Sequence, residues 1–272
     1  MSEHESELAL DRDAIRATAH AVADAARSAI GPFFRVADLG ADNKMSDGSF
    51  DPVTEADRAA ETAMRAVLAE LRPEDSILGE EHGPKHGTSG LTWVLDPIDG
   101  TRAFLSGAPT WGVLIAVSDE TGPLYGIIDQ PYINERFEGG FGQSVLTGPR
   151  GTMPLRTKGN RPLAEAILFT TFPELGTPAE GAGFAAVAER VKLTRYGLDC
   201  YAYAMLALGQ IDLVIEAGLA GYDIQAPIAV IEAAGGIVTD WRGRPAHDGG
   251  RVLAAAGREQ HEAALDILSR VP

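Results

Sequence analysis

Asp96-Pro-Ile-Asp99-Gly-Thr101 sets two carboxylates three residues apart at the end of the apolar run Trp93-Val94-Leu95, with a glycine and a hydroxyl directly after them. Pro97 has no N–H for a strand ladder and fixes φ, so the turn can aim Asp96, the Ile98 carbonyl and Asp99 into one small volume. Carboxylates gathered that closely repel unless a cation lies between them. The donors are all oxygen, and no cysteine or histidine lies in the motif to favour zinc. Such a set selects a hard divalent ion such as Mg2+, Mn2+ or Ca2+. Gly100 allows backbone to approach a ligand closely, and the chain after it is expected to begin a helix whose free N–H groups attract an oxyanion. Metal and phosphate would meet there. Asp-Pro and Asp-Gly pairs also build ordinary turns. Five fixed residues in the pattern D-P-x-D-G-T, however, arise by chance in roughly one chain in ten thousand at uniform residue usage, which favours chemistry.

Two further acids belong to the same question. Gly79-Glu80-Glu81 follows the apolar pair Ile77-Leu78, and strand pairing could bring Glu80 beside Asp96; taken alone it is also an ordinary solvated loop acid. Asp223 stands at the start of a helix whose buried positions are Ile224, Ile228 and Ile231 and which Gly235-Gly236 ends, with Pro227 in the first turn. An N-cap aspartate needs no metal, so a chemical role for it requires a partner distant in the chain. His82 and His86 are four apart, but Pro84 between them breaks the helix that zinc ligation at this spacing requires, leaving a loop. Cys200, Trp93, Trp111 and Trp241 read as packing residues.

The elements that must hold these residues follow from hydrophobic spacing. Ile15, Ala19, Val22, Ala26 and Ile30 form one helical stripe, which Gly31-Pro32 stops. Asp38 to Pro52 reads as a loop carrying Lys44. Thr54 opens a second helix with Ala60, Met64, Val67, Leu68 and Leu71 as its buried face, and Asp57 is a favourable acid in its first turn. Short β-like runs follow at Ser76–Gly79, Leu91–Leu95, Val113–Val117 and Leu124–Ile128. Gly139 to Arg161 is Gly- and Pro-rich and reads as the passage between halves 1–157 and 158–272. The second half alternates strands (Ile167–Thr171, Ile211–Glu216, Ile237–Thr239, Val252–Ala256) with helices (Ala179–Arg190, Asp199–Leu208, Asp223–Ala234, Glu259–Leu268), a pattern of layered α/β architecture.

A chain of 272 residues buries enough surface to need no disulfide or structural metal. Twenty-three basic against 39 acidic side chains leave a net charge of −16, which excludes nucleic acid or an anionic membrane as main partner. The single cysteine forbids an internal disulfide and suits a reducing compartment; with an acidic N-terminus unlike a secretory signal, the cytoplasm is expected. No uncharged apolar stretch is long enough to span a bilayer.

The three acidic motifs, G-E-E at Gly79–Glu81, D-P-I-D-G-T at Asp96–Thr101 and Y-D-I-Q-A-P with A-A-G-G from Tyr222 to Gly236, resemble in order and spacing the signatures of the inositol monophosphatase superfamily over nearly the whole chain. The stretches Asp99–Gly107, Arg195–Tyr203 and Ile211–Gly218 are similar to its histidinol-phosphatase branch, with Leu198 where glycine is common and Ala220-Gly221 where Lys-Pro is typical. The resemblance implies a five-layer αβαβα sandwich of the inositol monophosphatase/fructose-1,6-bisphosphatase type. It also implies a phosphomonoesterase that uses two or three Mg2+ per active site, with Mn2+ as a substitute. It assigns one metal to Glu80, Asp96 and the Ile98 carbonyl, and a second to Asp96, Asp99 and Asp223, an arrangement able to activate water and neutralise a leaving alkoxide. It further implies a hydrogen-bonded pair of Asp57 and Thr101 which, with Glu80, orients and deprotonates the attacking water, and a Lys44 that reaches that water or the phosphate. Substrate contacts would come from Asp99, Gly100, Thr101, Arg102 and Arg195 around the phosphate or across the pocket. Asp199 and Glu216 would face the ammonium and imidazole of histidinol phosphate. The expected reaction is hydrolysis of histidinol phosphate to histidinol and phosphate in histidine biosynthesis, by a homodimer. The alternatives are an inositol-1-monophosphatase or another small-ester phosphatase and, in a different class, a catalytically silent metal-binding regulator on the same fold.

Overall fold

A computed structural model describes residues 3–36, 40–43 and 52–272. The stripe from Ile15 to Ile30 is the buried face of α1 (Glu3–Ile30), which Gly31-Pro32 ends in a 3-10 turn. The segment read as a loop is partly a ladder, in which β1 (Ala41–Asn43) pairs antiparallel with β2 (Pro52–Thr54); strands of three residues are too short to show an alternation. Lys44 lies outside the described residues. Thr54 caps α2 (Glu55–Leu71), whose Ala60, Met64 and Leu68 are buried. Leu71, expected on that face, is 49% exposed, because the helix stops there and no further turn covers it.

The first sheet is built from β3 (Ser76–Gly79), β4 (Gly83–Lys85) and β5 (Thr92–Asp99), then, after the short helix α3 (Thr101–Ser106), from β6 (Gly112–Asp119), β7 (Gly122–Gln130), β8 (Glu135–Gly140), β9 (Gln143–Gly148) and β10 (Gly151–Pro154). Its order is β10-β9-β8-β7-β6-β5-β3-β4, antiparallel except where β3 runs parallel to β5. The inner strands read as continuous apolar runs because both faces of the sheet are covered. The segment from Gly139 to Arg161 is therefore no simple passage, since it contributes the outer meander. Its strands escape detection because β10 is exposed along its whole length and shows no alternation.

The second sheet comprises β11 (Ile167–Thr170), then after α4 (Pro178–Ala188) β12 (Leu193–Tyr196), after α5 (Cys200–Ala207) β13 (Leu213–Leu219), and after α6 (Gly221–Ala233) β14 (Ile237–Thr239) and β15 (Gly250–Ala255), with α7 (Arg258–Leu268) last. Its order is β12-β11-β13-β15-β14. The edge strand β12 carries exposed Leu193 and Tyr196 and was not expected, since its four residues are exposed or half-buried and leave no alternation to read.

Three apolar cores stack these elements. One joins α1 and α2 to the first sheet through residues such as Ala23, Met64, Leu95 and Ile115. A second joins the other face of that sheet (Val94, Leu114, Ile128) to α5 and α6 and then to the second sheet (Val214, Ala254). The third joins the far face of the second sheet to α4 and α7 through Leu213, Phe184 and Leu268. The result is the αβαβα order, with α5 and α6 as the middle layer. Thr157 lies between the last strand of the first sheet and the first strand of the second, yet its N–H donates to the Ala234 carbonyl (3.0 Å) and both halves share the middle core. Among the described residues no helix is long and apolar enough to cross a membrane.

Candidate active site

The apolar part of β5 ends in a β-bulge. Asp96 faces Leu114 and Asp99 faces Gly112 on β6, so one more residue is taken up on β5 than on its partner, and Pro97 sits inside the irregularity where no ladder donor is needed. The Ile98 N–H donates to Asp96 Oδ1 (3.1 Å) and the Thr101 hydroxyl donates to the Ile98 carbonyl (3.2 Å), closing the turn on itself. Gly100 takes φ +82°, and a Cβ there would lie 2.7 Å from the Asp199 carboxyl carbon; Gly112 likewise leaves room for Cys200 Sγ. The close approach allowed by Gly100 is thus to a side chain of this protein. These two glycines let the start of α5 dock on the bulge, where the Cys200 N–H donates to Asp99 Oδ2 at 2.5 Å.

The neighbouring parallel strand brings in the next acid. The Glu80 N–H donates to the Leu95 carbonyl (3.2 Å), which sets Glu80 one step from Asp96. The loop after it is anchored from below: fully buried Glu61 of α2 accepts the N–H groups of Glu81 (2.6 Å) and His82 (3.2 Å) and pairs with Arg65 Nε (2.7 Å). Sequence reasoning missed Glu61, because its i,i+4 pair with Arg65 resembles any solvated helix pair.

Asp223 arrives from the far end of the chain. The helix α6 begins at Gly221, two residues earlier than expected, so Asp223 is not the N-cap residue; from the third position it accepts the Ala220 N–H (2.7 Å). Pro227 consequently falls in the second turn, where its missing N–H leaves the Asp223 carbonyl without that helical donor. One carboxylate oxygen from each of Asp96, Asp99 and Asp223 lies within 4.8 Å of the others.

Glu80, Asp96, Ile98, Asp99, Gly100, Thr101, Arg102, Asp199, Glu216 and Asp223 all line one cavity of about 480 Å³. On its far wall Glu216 Oε2 accepts the Thr170 hydroxyl (3.0 Å) and Oε1 accepts the Thr171 N–H (2.7 Å). Asp199 takes the unusual φ of +49° and accepts the Thr110 hydroxyl at 3.3 Å. Thr110, Thr170, Thr171, Phe172 and Tyr203 were not singled out from the sequence, since the pairing of β11 with β13 that brings Thr170 to Glu216 has no local signal. Cys200, read as a packing residue, is buried but also lines the cavity. The buried hydroxyl of Tyr203 finds no partner among the described residues.

Burial, reinforced by Glu80, Asp99 and Asp223, pushes the Asp96 carboxyl well above the ordinary range. Burial with Asp199 and Asp223 does the same to Asp99, opposed by the Cys200 N–H. Burial raises Asp199 to about 6 against the pull of Thr110 and Arg102, and raises Glu216 to about 7 against its two threonine donors. Arg102 is the one basic side chain in the described lining. Acids packed this way, with only oxygen to offer and no base among Asp96, Asp99 and Asp223, fit a hard divalent cation.

Two expected site residues stand apart. Asp57 is buried in the capping turn of α2, accepting the Thr54 N–H (2.8 Å) and hydroxyl (2.5 Å), while the Thr101 hydroxyl is spent on Ile98. The Asp57–Thr101 hydrogen bond is therefore not formed, because each partner has a nearer one in its own turn, although α3 packs beside β2. Arg195 lies exposed on the edge strand β12 and is not in the described lining of the cavity, since among the described residues β12 pairs only with β11 at the rim of the second sheet.

Residues 11–272 match the inositol monophosphatase family. The chain is 40% identical over 276 residues to the chloroplastic bifunctional phosphatase IMPL2 of Arabidopsis thaliana, covering 97% of this chain and 77% of that one. It is 34% identical over 259 residues to the histidinol-phosphatase of Streptomyces coelicolor, covering 93% and 96%. The solved structure of an inositol monophosphatase from Zymomonas mobilis superposes with a TM-score of 0.82 at 39% identity, over 99% of this chain and 100% of that one. With the layered fold and the clustered carboxylates, these matches identify the chain as a member of the inositol monophosphatase family and a phosphomonoesterase.

Proposed function

We propose that this phosphomonoesterase hydrolyses histidinol phosphate to histidinol and inorganic phosphate with Mg2+. The observation that carries the substrate is the pair Asp199 and Glu216, two further acids in the wall of the same cavity beside the Asp96, Asp99 and Asp223 cluster, Asp199 against Gly100 and Glu216 held by Thr170 and Thr171. An alcohol bearing an ammonium and an imidazole brings positive charge to that wall and favours the ionised acids, whereas inositol brings only hydroxyls. The cavity volume suits a small ester rather than a polymer. The similarity to histidinol-phosphatases supports the same substrate.

Glu80, Asp96, the Ile98 carbonyl, Asp99 and Asp223 are the groups that would hold the cations. When bound, such ions supply neutralisation of phosphate charge and a more acidic water. The chain's own part is positioning. The bulge holds Asp96 and Asp99, the Glu61-anchored loop holds Glu80 as acceptor for the water proton, and the start of α3 faces the phosphate. Thr101, whose hydroxyl donates to the Ile98 carbonyl, keeps lone pairs on Oγ1 that can accept from the water, and the Ile98 oxygen keeps a second lone pair. Phosphoryl transfer asks for no more covalent chemistry than this, so no serine or cysteine nucleophile is required.

The second reading is inositol 1-phosphate as substrate, favoured by the likeness to the Zymomonas enzyme; the third is a silent regulator, which conflicts with a full set of acidic groups. Phosphate release with Mg2+ from histidinol phosphate, inositol 1-phosphate and glycerol 2-phosphate separates them. The highest kcat/KM is expected for histidinol phosphate; a preference for inositol 1-phosphate, or no release from any ester, would overturn the proposal.

A further inference from the structure

Phe172, just beyond β11, and Arg102, in the first turn of α3, both line the cavity. The guanidinium carbon of Arg102 stands 4.9 Å from the centre of the Phe172 ring, which is 42% exposed. The Asp199 carboxyl packs against Gly100, two residues before Arg102, lines the same cavity, and feels the charge of the same guanidinium. An aromatic face beside a carboxylate is a seat for a planar cation, attracted by the ring quadrupole from one side and by full charge from the other. In the ligand-free chain the cation in that seat is the protein's own arginine.

We propose that Phe172 determines specificity: its ring and Asp199 form a subsite for a planar cation, and the imidazolium of a substrate alcohol exchanges there with the Arg102 guanidinium. This rests on the reading of the site as a phosphatase for a cationic alcohol. Guanidinium and imidazolium are both flat and delocalised, so what holds one holds the other. A compact, strongly hydrated ammonium gains less from the ring. Arg102 sits on a flexible stem directly after Thr101, so once displaced it stays in the cavity beside the phosphate-facing turn. Phe172 lies at the end of a strand with much of its ring in solvent, so its replacement leaves the core untouched.

The test compares wild type, Phe172→Leu and Phe172→Tyr on histidinol phosphate, phosphoethanolamine and glycerol 2-phosphate with Mg2+. In Phe172→Leu the ratio of kcat/KM for histidinol phosphate over glycerol 2-phosphate should fall about 2- to 30-fold, mainly through KM, and Phe172→Tyr should restore it. The ratio for phosphoethanolamine over glycerol 2-phosphate should move less than about twofold, the ammonium gaining little from the ring. Binding of free histidinol to the metal-free protein, followed by titration calorimetry, should weaken by the same factor in Phe172→Leu. If wild type prefers histidinol phosphate and Phe172→Leu leaves both the ratio and histidinol binding unchanged, this inference fails alone. If wild type hydrolyses glycerol 2-phosphate without preferring histidinol phosphate, and does not bind histidinol, the substrate assignment fails with it.

Discussion

Replacing Glu216 by Gln should remove a definite part of the pH dependence of the metal-free protein. Glu216 is 6% exposed, and burial carries its carboxyl from 4.5 to about 7. The folded chain thus holds the Glu216 proton more tightly than the unfolded chain, so stability is lost as pH rises from near 4.5 through about 7 and stays lost above. At about 1.36 kcal/mol for each tenfold change in proton affinity, the full penalty is about 3 kcal/mol, with most of it arising between pH 5 and pH 8. Gln carries no charge. Its carbonyl keeps the Thr171 N–H, and the Thr170 hydroxyl can reverse to accept from the amide. At about 2 °C for each kcal/mol in a chain of this size, the melting temperature of Glu216→Gln minus that of wild type should grow by about 5 °C from pH 5 to pH 8. Differential scanning calorimetry in chelator reads this directly, and penalties common to both proteins, such as those of Asp96 and Asp99, largely cancel. A gap of equal size at both pH values would show that Glu216 titrates as in the unfolded chain and would refute the reasoning.

Two other substitutions probe the acidic cluster and its support. Asp99→Asn keeps an acceptor for the Cys200 N–H but removes one repelling charge. Turnover should drop at least about a hundredfold while the metal-free melting temperature at pH 8 stays level or rises, and the stabilisation of wild type by Mg2+, about 2.7 kcal/mol at a hundred times the Kd, should vanish; retained turnover would contradict the ligand assignment. Gly79→Ala would put a Cβ 2.1 Å from Glu61 Oε1, displacing the buried carboxylate that anchors the loop after Glu80. A loss of about 1–3 kcal/mol and weaker Mg2+ binding are expected by thermal melting and titration, and an unchanged melting temperature would sink this account of the loop.

The parts of this protein that depend on neighbouring residues were open to reading from the chain alone. Helical stripes such as Ile15 to Ile30 and the continuous runs of the inner strands carry their burial in their spacing, because each residue's environment repeats with the period of its own element. The Asp96–Thr101 turn announces its carboxylates for the same reason: Pro, Gly and the acids act within six residues. What the tertiary structure alone decided are meetings across long separations. Asp223 reaches Asp96 and Asp99 because α6 lies in the middle layer, Cys200 reaches Asp99 because Gly100 and Gly112 leave room for α5, and Thr170 reaches Glu216 because β11 runs parallel to β13. Asp57 and Arg195 mark the converse, one held by its own capping turn and the other set on a sheet edge that its four-residue pattern could not disclose. Local spacing states which face of an element is apolar; only the packing of sheet against helix against sheet states which polar ends come together, since that is settled by register and shape over the whole chain.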